Sequence, residues 1–119
     1  MINITGEDVI IHPDVLVKQK CEIKGSHVAI DKGVYFSTNV EIGSYTHISP
    51  YVTIIGGKDS SFTAKGFNNI MAGARIICGS DRFDDSGLFG AMIPKELKGR
   101  QIIEPVVMEE FSNVGTNAI

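Results

Sequence analysis

Three imidazoles, His12, His27 and His47, are the side chains of this chain best suited to move a proton near neutral pH, since an ordinary imidazole titrates at about pH 6.5. They lie 15 and 20 residues apart with no close His pair. A site that gathers three imidazoles around one zinc ion is therefore not expected, and no metal ion is assigned. Cys21 and Cys78 have no C-x-x-C spacing, too few thiols for a disulfide framework or a thiolate zinc site. Asp81 and Asp84 sit in a Gly- and Ser-rich stretch. Such acids are often held by their own backbone in turns, which competes with any role toward a ligand.

What must position these groups is a rhythm of six. From Val40 to Gly57 an apolar-x-apolar triplet recurs every six residues, as Val40/Ile42, Thr46/Ile48 and Val52/Ile54, with Gly43-Ser44-Tyr45 and Ser49-Pro50-Tyr51 between them. Alternation over three residues suits a very short strand, because residues i and i+2 share a face, and Gly, Ser and Pro then turn the chain. Counting backwards gives Val34/Phe36 and Val28/Ile30 and, after a slip of one residue at Lys24 to His27, Cys21/Ile23, Val15/Val17 and Val9/Ile11. Fifteen of these sixteen positions are apolar, Thr46 being the exception. The pattern would arise by chance on the order of 10^-3 of the time once phase and slip are allowed for. A short fixed period marks a solenoid, here of three short strands and three turns in about 18 residues per coil. His47 precedes inward Ile48, so alternation points it outward, whereas Cys21 falls inward and reads as a small buried hydrophobe.

The whole chain of 119 residues reads as one domain, 1–119, of about four coils. Two excursions interrupt it, expected as loops over about 55–67 and 78–104, with strands resuming at Asn68/Ile70, Ala74/Ile76, Val106/Met108 and Ser112/Val114. The net charge of -3 and the lack of a Lys/Arg run argue against nucleic acid. There is no signal-peptide core and no run of about 18 apolar residues, so no membrane span is expected and a reducing, cytoplasmic setting is.

Ile-Gly-x4 units such as Ile42-Gly43-Ser44-Tyr45-Thr46-His47 and Val114-Gly115-Thr116-Asn117-Ala118-Ile119 resemble the hexapeptide-repeat acyltransferases. Cys78-Gly79-Ser80-Asp81-Arg82-Phe83, with Ile93-Pro94-Lys95-Glu96-Leu97 and Glu104-Pro105-Val106-Val107-Met108, resembles the sugar O-acetyltransferase branch. The resemblance implies an all-β, left-handed parallel β-helix, a homotrimer, and acetyl-CoA as co-substrate in a groove between subunits. It implies transfer of an acetyl group to a hydroxyl or amine of a sugar or nucleotide sugar, with a His as general base. His47 is the best candidate for that base, flanked by Tyr45 and Tyr51, which would shape a sugar site; His12 and His27 read as solvated turn residues. The stretch matching the family's catalytic His reads Gly79-Ser80-Asp81, which moves the base to His47 or gives Asp81 and Asp84 a substrate-binding role. Gly115, Thr116 and Asn117 match the turn that contacts CoA. The family pattern continues beyond Ile119, so the likeness is to a C-terminally short member, and a catalytically silent trimerisation or scaffold module is the alternative.

Overall fold

The computed structural model describes residues 2–84 and 87–119. Its fourteen strands, counted among the described residues, are β1 (Ile2–Ile4), β2 (Val9–Ile11), β3 (Leu16–Val17), β4 (Cys21–Ile23), β5 (Val28–Ile30), β6 (Tyr35–Ile42), β7 (Thr46–Ile48), β8 (Thr53–Ala64), β9 (Asn69–Ile70), β10 (Arg75–Ile77), β11 (Gly79–Asp81), β12 (Gln101–Ile103), β13 (Val106–Met108) and β14 (Asn113–Val114). The single described helix is one 3-10 turn, Lys95–Leu97.

Every pairing between coils is parallel, and three faces result. On the first, β4, β6, β8 and β13 stack in register through Cys21, Val40, Phe62 and Val106. The second runs β2, β5, β7, β9, β14. The third runs from β3 through the first halves of β6 and β8 to β10. The result is a parallel β-solenoid of about four turns, 47 Å long and 27 by 21 Å across.

The inside is filled by the triplet positions. Cys21, Ile23, Phe36, Ile42, Ile48, Val52, Ile54 and Ile70 are fully buried, and Val9, Ile11, Val15 and Val17 of the first coil pack partly buried against them. Each Val or Ile so buried contributes roughly 1.5 to 3 kcal/mol, so stability accrues coil by coil.

The two excursions differ from the loops expected. Residues 55–64 do not leave the coil: they extend β8, and Phe62 and Ala64 fill the core with 1% exposure each. Tyr35 faces Thr53 whereas Val40 faces Phe62, four residues further out of step. The surplus protrudes around Gly57 to Ser60, where Gly57 takes a left-handed φ of +85°. Beneath it the hydroxyls of Thr38 and Ser60, both buried, meet at 2.5 Å, and Ser60 Oγ donates to Gly57 O at 3.1 Å. Every buried polar side chain described has a partner there or elsewhere. The second excursion is an arm whose base is an antiparallel ribbon, β11 against β12, rather than a plain loop.

Candidate functional site

His47 stands on the second face, between Ala29 of β5 and Asn69 of β9. Its ring is half exposed, and the Asp31 carboxylate accepts from Nε2 at 2.7 Å. Asp31 follows β5 directly, one coil below, so the stacking that aligns Ile30 with Ile48 also brings the acid to the imidazole. An ionised carboxylate can only accept, so the proton of the neutral ring resides on Nε2 and Nδ1 keeps a lone pair. That is the arrangement a general base requires, with one nitrogen free and the other held.

Five residues at the corner between the first and second faces adopt left-handed backbone: Asp8, His27, Tyr45, Phe67 and Phe111, at φ of 55°, 62°, 56°, 52° and 66°. None is glycine, and a side chain in that region costs about 1 to 2 kcal/mol per residue. What offsets the cost is a ladder in which His27, Tyr45, Phe67 and Phe111 stack at centroid separations of 4.9, 4.9 and 4.7 Å. Asp8 ends it, accepting from His27 Nδ1 at 2.7 Å. The ladder flanks a shallow concavity of about 330 Å³ in which His47, His27, Tyr45 and Asp8 surround Ala29 and Ile10. Two imidazole–carboxylate pairs therefore border one depression, and the small Ala29 side chain leaves the room between them.

The structure brings Tyr45 to His47 and sets Tyr51 elsewhere. Tyr51 occupies the corner between the second and third faces, its ring lying over Gly33, where an added Cβ would come within 2.3 Å of Tyr51 Cδ1. His12 is at that corner too, 2.7 Å from Asp14, whose carboxyl is lowered below its ordinary value chiefly by the Gly33 N–H. Asp81 is at the foot of the arm, accepting from Gln101 Nε2 at 3.0 Å, Gly90 N at 2.7 Å and Lys98 Nζ at 3.3 Å. Those donors, Gln101 foremost, hold its carboxyl below the usual range. Asp84 is exposed and takes two hydrogen bonds from Arg82, at 2.9 and 2.8 Å, which lower its carboxyl likewise. Gly115, Thr116 and Asn117 form the turn after β14, docked by Asn117 N on Ala72 O at 3.0 Å and closed by Ala118 N on Gly115 O at 3.2 Å.

Asp31 is the residue that sequence reasoning missed. Its signal was available: an acid immediately after one triplet lies one coil away from the residue preceding the last position of the next. Among the described residues no group of three or more His, Cys, Asp or Glu is placed to hold a metal ion. No described helix is long and apolar enough to cross a membrane.

Repeating triplets and three parallel faces define a parallel β-solenoid, which carries an outward His–Asp pair on its second face. Solved structures it is similar to include those of AntD, an N-acyltransferase from Bacillus cereus. AntD in complex with dTDP and 3-hydroxybutyryl-CoA is 26% identical with a TM-score of 0.83, the match covering 96% of this chain and 60% of that one. A serine-to-cysteine variant of AntD bound to dTDP-4-amino-4,6-dideoxyglucose and coenzyme A matches at 25% identity and a TM-score of 0.83, over 97% and 60% of the two chains. This chain thus spans about 60% of the length of those AntD structures. No protein-family model and no curated protein matches it.

Proposed function

We propose that this chain is an acyl-CoA-dependent acyltransferase that modifies an amino or hydroxyl group of a nucleotide-linked sugar, working as a homotrimer in the cytoplasm. The observation that carries the reading is the likeness to AntD over nearly the whole of this chain, in structures that hold both a CoA thioester and a dTDP-linked ligand.

In this reading the acceptor's nitrogen or oxygen attacks the thioester carbonyl of acetyl-CoA or a close relative. His47 Nδ1 takes the acceptor's proton, the C–S bond breaks, and CoA leaves as the thiol once its sulfur is protonated. Asp31 keeps the ring in the competent tautomer and steadies the imidazolium that forms. Tyr45 borders the acceptor, and the Gly115–Asn117 turn meets the CoA moiety. The hydrogen bonds that occupy Asp81 and Asp84 favour a role in shaping the arm over direct contact with the sugar.

The test is CoA release with acetyl-CoA and a panel of nucleotide-linked amino and neutral sugars, followed across pH 5.5 to 8.5. His47→Ala should lower kcat roughly 10²- to 10⁴-fold with KM little changed. Asp31→Asn should lower it less. Full activity in His47→Ala would remove the imidazole from the mechanism. No turnover of any acceptor by the parent chain would leave the scaffold alternative standing.

A further inference from the structure

A second concavity lies away from His47. A cleft of about 570 Å³ opens at the corner between the third and first faces, walled on one side by the β8 protrusion, Gly56 to Asp59, and on the other by the arm, Ala91 to Ile103. Both walls are additions to the repeat: neither the surplus in β8 nor the arm is needed to close a coil. The volume lies within the roughly 300 to 1,000 Å³ typical of small-molecule sites.

Its chemistry is mixed in a specific way. Lys58 lines it from the protrusion and Lys95 from the arm, and neither ammonium has a carboxylate partner among the described residues. The third lysine of the lining, Lys98, is committed to Asp81 at 3.3 Å. Two ammonium groups without a carboxylate partner thus line the same cleft, from its two walls, and an anion bound there would be attracted by both. Gly57 has open space where a side chain would stand, so a bulky anion can approach the backbone there closely. Ala91, Ile93 and Ile103 supply an apolar patch, and the Asp59 carboxylate supplies an acceptor for a hydroxyl. A phosphate alone would leave the apolar patch and the acid unused, and an uncharged hydrocarbon would leave the lysines unused.

We propose that this cleft binds a nucleotide by its diphosphate, the phosphates between Lys58 and Lys95, a ribose or hexose hydroxyl on Asp59, and a ring against Ile93 and Ile103. The assignment deepens the acyltransferase reading, on which the identity of the nucleotide rests; because the cleft and His47 lie on opposite sides of one solenoid, an acceptor would use both only across neighbouring subunits of the proposed homotrimer. A diphosphate is present in both substrates of that reaction, in the nucleotide sugar and in CoA, so the experiment separates them.

Calorimetric titration of the full chain with inorganic pyrophosphate, thymidine diphosphate and CoA, each alone, is compared for the parent, Lys58→Ala, Lys95→Ala, the double variant and Lys18→Ala as a control for overall charge. Loss of a hydrogen bond to a charged group should weaken binding about tenfold or more in each single variant and further in the double, at unchanged melting temperature. A loss for thymidine diphosphate alone assigns the cleft to the acceptor, and a loss for CoA alone assigns it to the donor. Unchanged binding of all three probes, or a loss matched by Lys18→Ala, would overturn the proposal. Because turnover is not read, a chain that binds nucleotide in this cleft but transfers no acyl group would overturn the acyltransferase reading and keep this one.

Discussion

Replacing Phe67 by alanine and, separately, by glycine separates two energies that meet at one corner of the solenoid. Phe67 has a φ of 52° and stacks on Tyr45 at 4.9 Å and on Phe111 at 4.7 Å. Either substitution removes both ring contacts, worth about 0.5 to 1.5 kcal/mol each. Alanine keeps the Cβ and therefore the left-handed penalty of about 1 to 2 kcal/mol, whereas glycine is freed of it. Glycine in turn gains about 0.4 to 1 kcal/mol of unfolded-state entropy, which at the middle of both ranges leaves it more stable than alanine by about 0.8 kcal/mol. With an unfolding entropy of about 2.1 cal/mol/K per residue, 1 kcal/mol corresponds to roughly 4 °C in a chain of 119 residues. Calorimetric melting should therefore place Phe67→Ala about 4 to 12 °C below the parent and Phe67→Gly about 2 to 4 °C above the alanine variant. At an ordinary strand position the order is the reverse, because glycine weakens strands. An alanine variant equal to or more stable than the glycine variant would refute the left-handed ladder as the device that shapes this corner.

The clasp at the foot of the arm predicts a pH response. Hydrogen bonds from Gln101, Gly90 and Lys98 lower the Asp81 carboxyl below its ordinary 3.8, so its contribution is present above that value and is lost as pH falls through the lowered one. Hydrogen exchange at Leu88 to Arg100 should stay slow from pH 7 to 5 in the parent and quicken in Asp81→Asn at pH 7, with the amides of β6 unaffected; equal protection in both would show that the clasp does not hold the arm. Burial pushes the Cys21 thiol up to about 11, and it is fully buried, so alkylation at pH 8 should spare it in the folded chain and reach it in denaturant. Rapid native labelling of Cys21 would contradict its inward placement. Substituting Ile42, which is fully buried, by Asp should unfold the surrounding coil and abolish a cooperative melt, and an unchanged melt would contradict the register.

The faces and the interior were legible because period and alternation act on every coil alike. Val28, Ile30, Val40, Ile42, Ile48, Val52 and Ile54 are buried where a count in sixes puts them. The continuation of β8 was hidden by its own insertion. Phe62-x-Ala64 carries the triplet signature, but four surplus residues with Gly57 among them displace it from the phase, and polar residues inside the protrusion read as a loop. The corner ladder was illegible for a different reason. Tyr45, Phe67 and Phe111 are separated by 22 and 44 residues, since one coil carries the β8 surplus and the next the whole arm, so their stacking has no fixed interval. Of the site, the outward placement of His47 follows from alternation, whereas its partner Asp31 depends on the register between coils, which a single chain read in order does not display.

The most direct measurement is the mass of the acceptor. After incubation of the purified chain with acetyl-CoA and a panel of nucleotide-linked amino and neutral sugars, at least one acceptor should gain the mass of a single acyl group, with CoA released in equal amount and the gain reduced to background in His47→Ala. A panel in which no acceptor gains mass while the folded chain remains intact would contradict the assignment of acyl transfer to this solenoid.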